Sequence, residues 1–173
     1  LEQQLDQVRR ASAMVQWACP ALRAEVMSIT EAIGSRIEAA PPGMLHGDLK
    51  ADHVFLDGER VTLVDTDNIA RGDPVRDAAH FCSYVTAGVG LETVPRREAR
   101  VMAAAFADEY FQHVPASWRK RFQLHYAGAL VEVACGIFRH QQPRWLEYAE
   151  AAIDEARRVI TLEGGGHSWP GSA

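Results

Sequence analysis

Outside one stretch, residues 54 to 64, the apolar residues of this chain recur at steps of three and four, and proline or glycine cuts the pattern into segments. That spacing puts apolar side chains on one face of a helix, so such a chain must bury several helix faces against one another. Leu1, Leu5, Val8 and Val15 mark a first helix that ends before Cys19-Pro20, since proline removes a helix donor and suits a first turn. Leu22, Val26, Ile29, Ile33 and Ile37 mark a second, stopped by Pro41-Pro42-Gly43. Past residue 73 the pattern predicts four more. Asp73 and Pro74 open one that Gly88 and Gly90 end. Thr93 and Pro95 begin another, carrying Met102, Phe106 and Tyr110 as far as Pro115. Ser117 caps a long helix through Phe138. Beyond Pro143 a last one has Leu146, Ala149, Ile153, Ala156 and Ile160 on one stripe, ended by the glycines at 164 to 166. Trp118, Trp145 and Tyr148, at helical spacings, are read as core.

The exception is β-prone. Val54 to Leu56 and Val61 to Val64 flank Asp57-Gly58-Glu59-Arg60, and Asp-Gly is a strong turn signal. The expected fold is therefore α+β and mostly α-helical: one domain of helices over residues 1–163 around one small hairpin, with a disordered tail at 164–173. Asp and Glu number 23 against 18 Lys and Arg, which argues against a nucleic-acid or anionic-membrane binder. No apolar run approaches a membrane span, and Cys19, Cys82 and Cys135, far apart in apolar runs, read as buried reduced thiols. The cytoplasm is the expected compartment. The chain opens without Met, in mid-helix pattern, and is expected to be a piece of something longer.

The candidate chemistry sits in "HGDLKADHVFLDG", residues 46 to 58, and "VTLVDTDNIARGDPVRD", residues 61 to 77. The hairpin strands run from His53 and into Asp65, so a two-stranded geometry can bring these two together to share a metal. Asp48, on the preceding loop, would then stand beside that metal, positioned to accept a proton from a hydroxyl. Phosphoryl transfer asks for this set: a carboxylate for the alcohol, a lysine near the moving phosphate, and ligands for Mg²⁺.

These two segments together resemble the C-terminal lobe of the aminoglycoside phosphotransferase and choline kinase family of protein-kinase-like small-molecule kinases. The family pattern is H-G-D-x-x-x-x-N, a hairpin, an apolar run ending in Ile-Asp, then G-D-P-x-x-D. The resemblance implies that Asp48 is the catalytic base, Asp65 the metal-binding carboxylate and His46 a loop-ordering histidine. It puts Lys50 where a phosphate-contacting lysine stands, and Asp73 and Asp77 in scaffolding of the catalytic loop. It implies Mg²⁺ and ATP or GTP as cofactors and a small hydroxyl compound as acceptor; the acidic loops suit one that bears an amine.

Two departures stand out. His53 replaces the metal-binding Asn, and imidazole is a poor Mg²⁺ ligand, so either His53 contacts the metal through water, a neighbour such as Asp52 or Asp67 substitutes, or the site is altered. No Gly-rich strand-turn-strand precedes the motif, and the only lysines are Lys50 and Lys120, so the nucleotide-clamping N-terminal lobe is expected in the same longer polypeptide. Plainer readings stay open: a turn for Asp67 and Asn68, a helix cap for Asp73, a first-turn acid for Asp77, a solvated side chain for Lys50. Two other functions also stay open. One is a degenerate kinase-like module that binds without chemistry; the other is a metal-dependent hydrolase using His46, Asp48, His53 and Asp65. His80, His113, His125 and His140 show no ligand spacing with cysteine, so zinc is not expected.

Overall fold

The computed structural model describes residues 2–89, 91, 93–141 and 143–162. Six helices carry most of the chain: α1 (Glu2–Ala18), α2 (Arg23–Arg36), α3 (Val75–Ala87), α4 (Arg96–Tyr110), α5 (Arg119–Arg139) and α6 (Trp145–Leu162). Between α2 and α3 lie four short strands: β1 (Gly43–Leu45), β2 (Val54–Asp57), β3 (Arg60–Leu63) and β4 (Ala70–Gly72). The chain is mostly helical with a little antiparallel sheet, an α+β composition. The expected tail, its glycine stop and Gly90 lie outside the described residues.

The helices end where the punctuation said they would. The N–H of Cys19, just before Pro20, closes on the Val15 carbonyl, and the N–H of Ile37 on Ile33. Gly88 caps α3 at φ 73°, the left-handed conformation that costs glycine nothing. One expected cap is corrected. Ser117 lies inside a short 3-10 turn, Ala116–Trp118, and Pro115 takes the capping position because its φ of −56° is already set for the turn.

α5 is the centre and packs against α1, α2, α3 and α6. Its Tyr126, Leu130 and Val131 are fully buried, joined by Val26, Ile29 and Ile33 of α2 and Val75, Ala79 and Cys82 of α3. Each full burial of a large apolar side chain is worth about 1.5–3 kcal/mol. Small residues set the helix spacing: α4 approaches through Ala99, Ala103 and Ala107, and a Cβ on Gly128 of α5 would press Val8 of α1 at 3.1 Å. Ala149, Ile153 and Ala156 of the α6 stripe are buried, whereas Leu146 and, on α4, Met102 are exposed. Trp118 and Trp145 pack half-buried on the core, and all three cysteines are buried and free. Among the described residues no helix is long and apolar enough to cross a membrane.

The β region holds two sheets rather than one hairpin. β2 and β3 pair as expected, Val54 with Leu63 and Leu56 with Val61, around a two-residue loop, Gly58-Glu59, in which Gly58 has φ 59°. The second sheet pairs β1 with β4, Gly43 opposite Gly72 and Leu45 opposite Ala70. It staples together the two ends of segment 46–69, which carries the acidic loops.

Candidate active site

Segment 46–69 leaves the β1–β4 staple at His46 and returns to it after Asn68. Gly47 turns the chain at φ 84°, and a Cβ there would collide with the backbone carbonyl of Asn68, so the position is restricted to glycine twice over. Asp77, in the first turn of α3, takes the N–H of His46 at 2.6 Å and that of Gly47 at 3.0 Å on its two carboxylate oxygens. The start of the loop thus hangs from a buried helix. His46 Nε2 donates to the Val64 carbonyl at 2.9 Å, tying the loop to the end of β3. Its Nδ1 is buried with no hydrogen-bond partner in the structure, and as the unprotonated nitrogen it is the cheaper one to leave unpaired.

Asp48 follows. Its Oδ2 lies 3.3 Å from Lys50 Nζ, and its Oδ1 accepts from His80 Nε2 at 3.1 Å. Burial pushes the Asp48 carboxyl up, but the bond from His80 and the charge of Lys50 outweigh it and hold the group below the usual carboxylate range. Lys50 is partly desolvated, yet the facing carboxylate raises its ammonium above the ordinary lysine value. A carboxylate offers about four lone-pair sites, so Asp48 with two bonds can still accept a third from an incoming hydroxyl.

His53 ends a short 3-10 turn, Ala51–His53, and is buried. Its Nδ1 lies 2.8 Å from the Asp48 carbonyl, which can only accept, so Nδ1 carries the proton. Nε2 then faces Asp65 Oδ2 at 3.1 Å, with its lone pair turned to the carboxylate in the neutral form of the ring. That contact calls for a second proton or a shared cation. One ligand atom each from Asp48, His53 and Asp65 lie within 4.8 Å of one another. Asp65 itself stands in the left-handed region, φ 59° and ψ 54°, rare for a residue with a side chain and often found at functional positions.

The expected set is thus only partly gathered. Asp48, His53 and Asp65 converge, with Lys50 bound to Asp48. Asp67 does not join them: it lies exposed in a 3-10 turn, Thr66–Asn68, and Asp48 takes its place as the third possible ligand. His46 also stands outside that group, its ring stacked on His53 with centroids 5.8 Å apart. Asp73 does not touch the loop. It binds Arg121 at 2.5 and 3.1 Å and His125 at 3.1 Å, and accepts the N–H of Val75 at 3.3 Å, so it fastens the start of α3 to α5.

His80 is the residue that sequence reasoning passed over. The sequence offers it no ligand spacing with cysteine, yet it follows Asp77 by three residues, which puts both on the face of α3 that meets the loop. Tyr84, four residues further on, continues that face: its ring packs on His80 at 4.9 Å and lies under Lys50 Nζ at 5.6 Å.

A family model described as the phosphotransferase enzyme family matches residues 1–121. No curated protein and no solved structure matches the chain.

Proposed function

Since the chain belongs to the phosphotransferase enzyme family, we propose that it transfers the γ-phosphoryl group of ATP or GTP to a hydroxyl of a small molecule, with Asp48 as the base. The observation that carries this reading is the Asp48 carboxylate, held between Lys50 and His80 and adjoining His53 and Asp65. Asp48 accepts the hydroxyl proton while the acceptor oxygen bonds to the γ-phosphorus. The bond to the β,γ-bridging oxygen breaks and the nucleoside diphosphate leaves. Lys50 meets the charge on the transferred group.

Asp48 and Asp65 offer the hard oxygen donors that suit Mg²⁺, whereas the His53 nitrogen does not. Asp65 would hold the ion, and His53, when its Nε2 also carries a proton, would donate to a second lone-pair site of Asp65 and orient it. When bound, the ion neutralises charge on the phosphates. The metal-hydrolase reading is less favoured, because His46 commits its Nε2 to Val64 and stays out of the ligand group.

We further infer that the helical body acts as the C-terminal lobe of a kinase-like protein whose nucleotide-clamping lobe is other sequence of the same polypeptide. Support comes from the hairpin, where Leu56, Val61 and Leu63 share one face and are 74%, 61% and 48% exposed. A two-stranded hairpin with a bare apolar face is marginal in water and suits a covering partner. The buried free thiols fit a reducing compartment such as the cytoplasm.

Calorimetric titration of the full-length gene product with ATP, with and without Mg²⁺, tests the reading. Mg²⁺-dependent binding that Asp65→Asn weakens at least tenfold is the expected result. Equal binding by the variant would remove Asp65 from the metal site. No nucleotide binding at all would leave a kinase-like module without chemistry.

A further inference from the structure

Beside the Asp48 loop lies a partly open cavity of about 250 Å³. Val133, Gly136 and Ile137 of α5, with His140 that caps its end, line it at the three- and four-residue steps that share one helix face. Tyr84 and Val85 of α3 add a second wall, and Lys50 and Asp52 of the catalytic loop complete it. Val133 and Ile137 belong to a small buried cluster with Ala87, against which Tyr84, Trp145 and Tyr148 also pack, so this wall is firm and apolar.

Two of the lining residues lead straight to the reacting carboxylate. Lys50 Nζ is 3.3 Å from Asp48, and Tyr84 packs on His80, whose Nε2 is 3.1 Å from the other Asp48 oxygen. Asp52 is the one carboxylate among the described lining residues, and the Lys50 ammonium stands close to it in the chain. An acceptor carrying several amines would find little here to replace its hydration.

Gly136 lies in the α5 wall of the cavity. Glycine weakens a helix interior, and a Cβ at this position would meet no neighbouring atom within 4 Å, so packing against another element does not demand it. Because Gly136 lines the cavity, a side chain there has open space beside it to occupy.

We propose that this cavity holds the phosphoryl acceptor, and that the acceptor is a small primary alcohol with an apolar, uncharged body of one ring or a chain of similar size. An apolar cavity of about 150 Å³ accommodates benzene, so the volume suffices. The body lies along the Gly136 face of α5 and the Tyr84 ring, and the hydroxyl reaches Asp48, which takes its proton as the oxygen bonds to the γ-phosphorus and the nucleoside diphosphate leaves. This assignment rests on the phosphotransferase reading.

The test supplies the full-length gene product with Mg²⁺-ATP and follows ADP release with 2-phenylethanol, 2-aminoethanol, glycerol and an aminocyclitol, alongside direct calorimetric binding of each alcohol. The expected result is a kcat/KM for 2-phenylethanol at least tenfold above those of the two amines. Gly136→Leu should then raise its KM at least tenfold with unchanged Mg²⁺-ATP affinity and a melting temperature no lower than the parent's. Should Gly136→Leu fail to fold, Gly136→Ala carries the comparison, with a raised melting temperature and a KM raised about threefold. A preference for either amine, or an unchanged KM in both variants, would overturn the assignment. Nucleotide bound and slowly hydrolysed without any 2-phenylethanol binding would overturn the acceptor class alone. Binding of 2-phenylethanol that Gly136→Leu abolishes, with no ATP consumed for any alcohol, would overturn the phosphotransferase reading and the acceptor role with it.

Discussion

α5 buries thirteen of its twenty-one residues, whereas the β2–β3 hairpin buries none of its eight. The two regions are positioned by different forces. The helical body is held by apolar faces that fit one another, and removing any large side chain leaves a hole. The acidic segment 46–69 is hung by polar anchors: Asp77 on two backbone N–H groups, His46 on Val64, His53 on Asp48, and the β1–β4 staple. Precision in the loop is thus bought from the body through Asp77 and His80, both on α3. The apolar side of the hairpin, by contrast, is exposed at Leu56, Val61 and Leu63.

If this division is right, the largest stability effect falls on a polar joint inside the body. Asp73→Ala leaves the half-buried Arg121 and the buried His125 without their carboxylate and should cost about 3–5 kcal/mol by urea unfolding. Burial raises the Asp73 carboxyl, but the hydrogen bonds from His125 and Arg121 dominate and hold it well below its usual 3.8. Its contribution is therefore complete above pH 3.8 and is lost as the pH falls toward the depressed folded-state value. Asp73→Asn should flatten the acid side of the stability curve, and an unchanged acid limb would count against the joint.

Next in size comes the core. Ile33→Ala in α2, 1% exposed, should cost about 2–5 kcal/mol through the cavity it leaves. Asp77→Ala should cost about 1–3 kcal/mol for the two stranded N–H groups, and hydrogen exchange should show faster opening at His46 and Gly47 than in α5. The smallest effect is the sharpest contrast. Leu56→Ala, 74% exposed, should change the stability of residues 1–173 by under about 0.5 kcal/mol. In the full-length gene product the same change should cost more, if a covering lobe sits there; equal values in both would argue against one.

The body was readable because a period near 3.6 survives over whole helices, and because Pro20, Pro41, Gly88 and Pro115 interrupt it sharply. The hairpin was readable through Asp57-Gly58. β1 and β4 were not: Gly-Met-Leu and Ala-Arg-Gly are too short for an alternation, and their pairing spans the whole loop segment. Asp48, His53 and Asp65 were found from motif order and from the reach of two strands. Asp67 was placed with them on proximity in sequence, and the 3-10 turn after Asp65 carries it away. His80 was hidden because its partner lies thirty-two residues earlier, and only the helical phase it shares with Asp77 hints at the contact.

The most direct test of the central claim, that the body holds and the hung loop reacts, is Asp48→Asn in the full-length gene product. Phosphoryl transfer from Mg²⁺-ATP to its best acceptor and the urea unfolding midpoint are measured on the same preparation. Turnover should fall by about two to four orders of magnitude, the usual share of a general base, while the midpoint stays within error of the parent. Undiminished turnover would contradict the claim, and so would a loss of turnover matched by a loss of the fold.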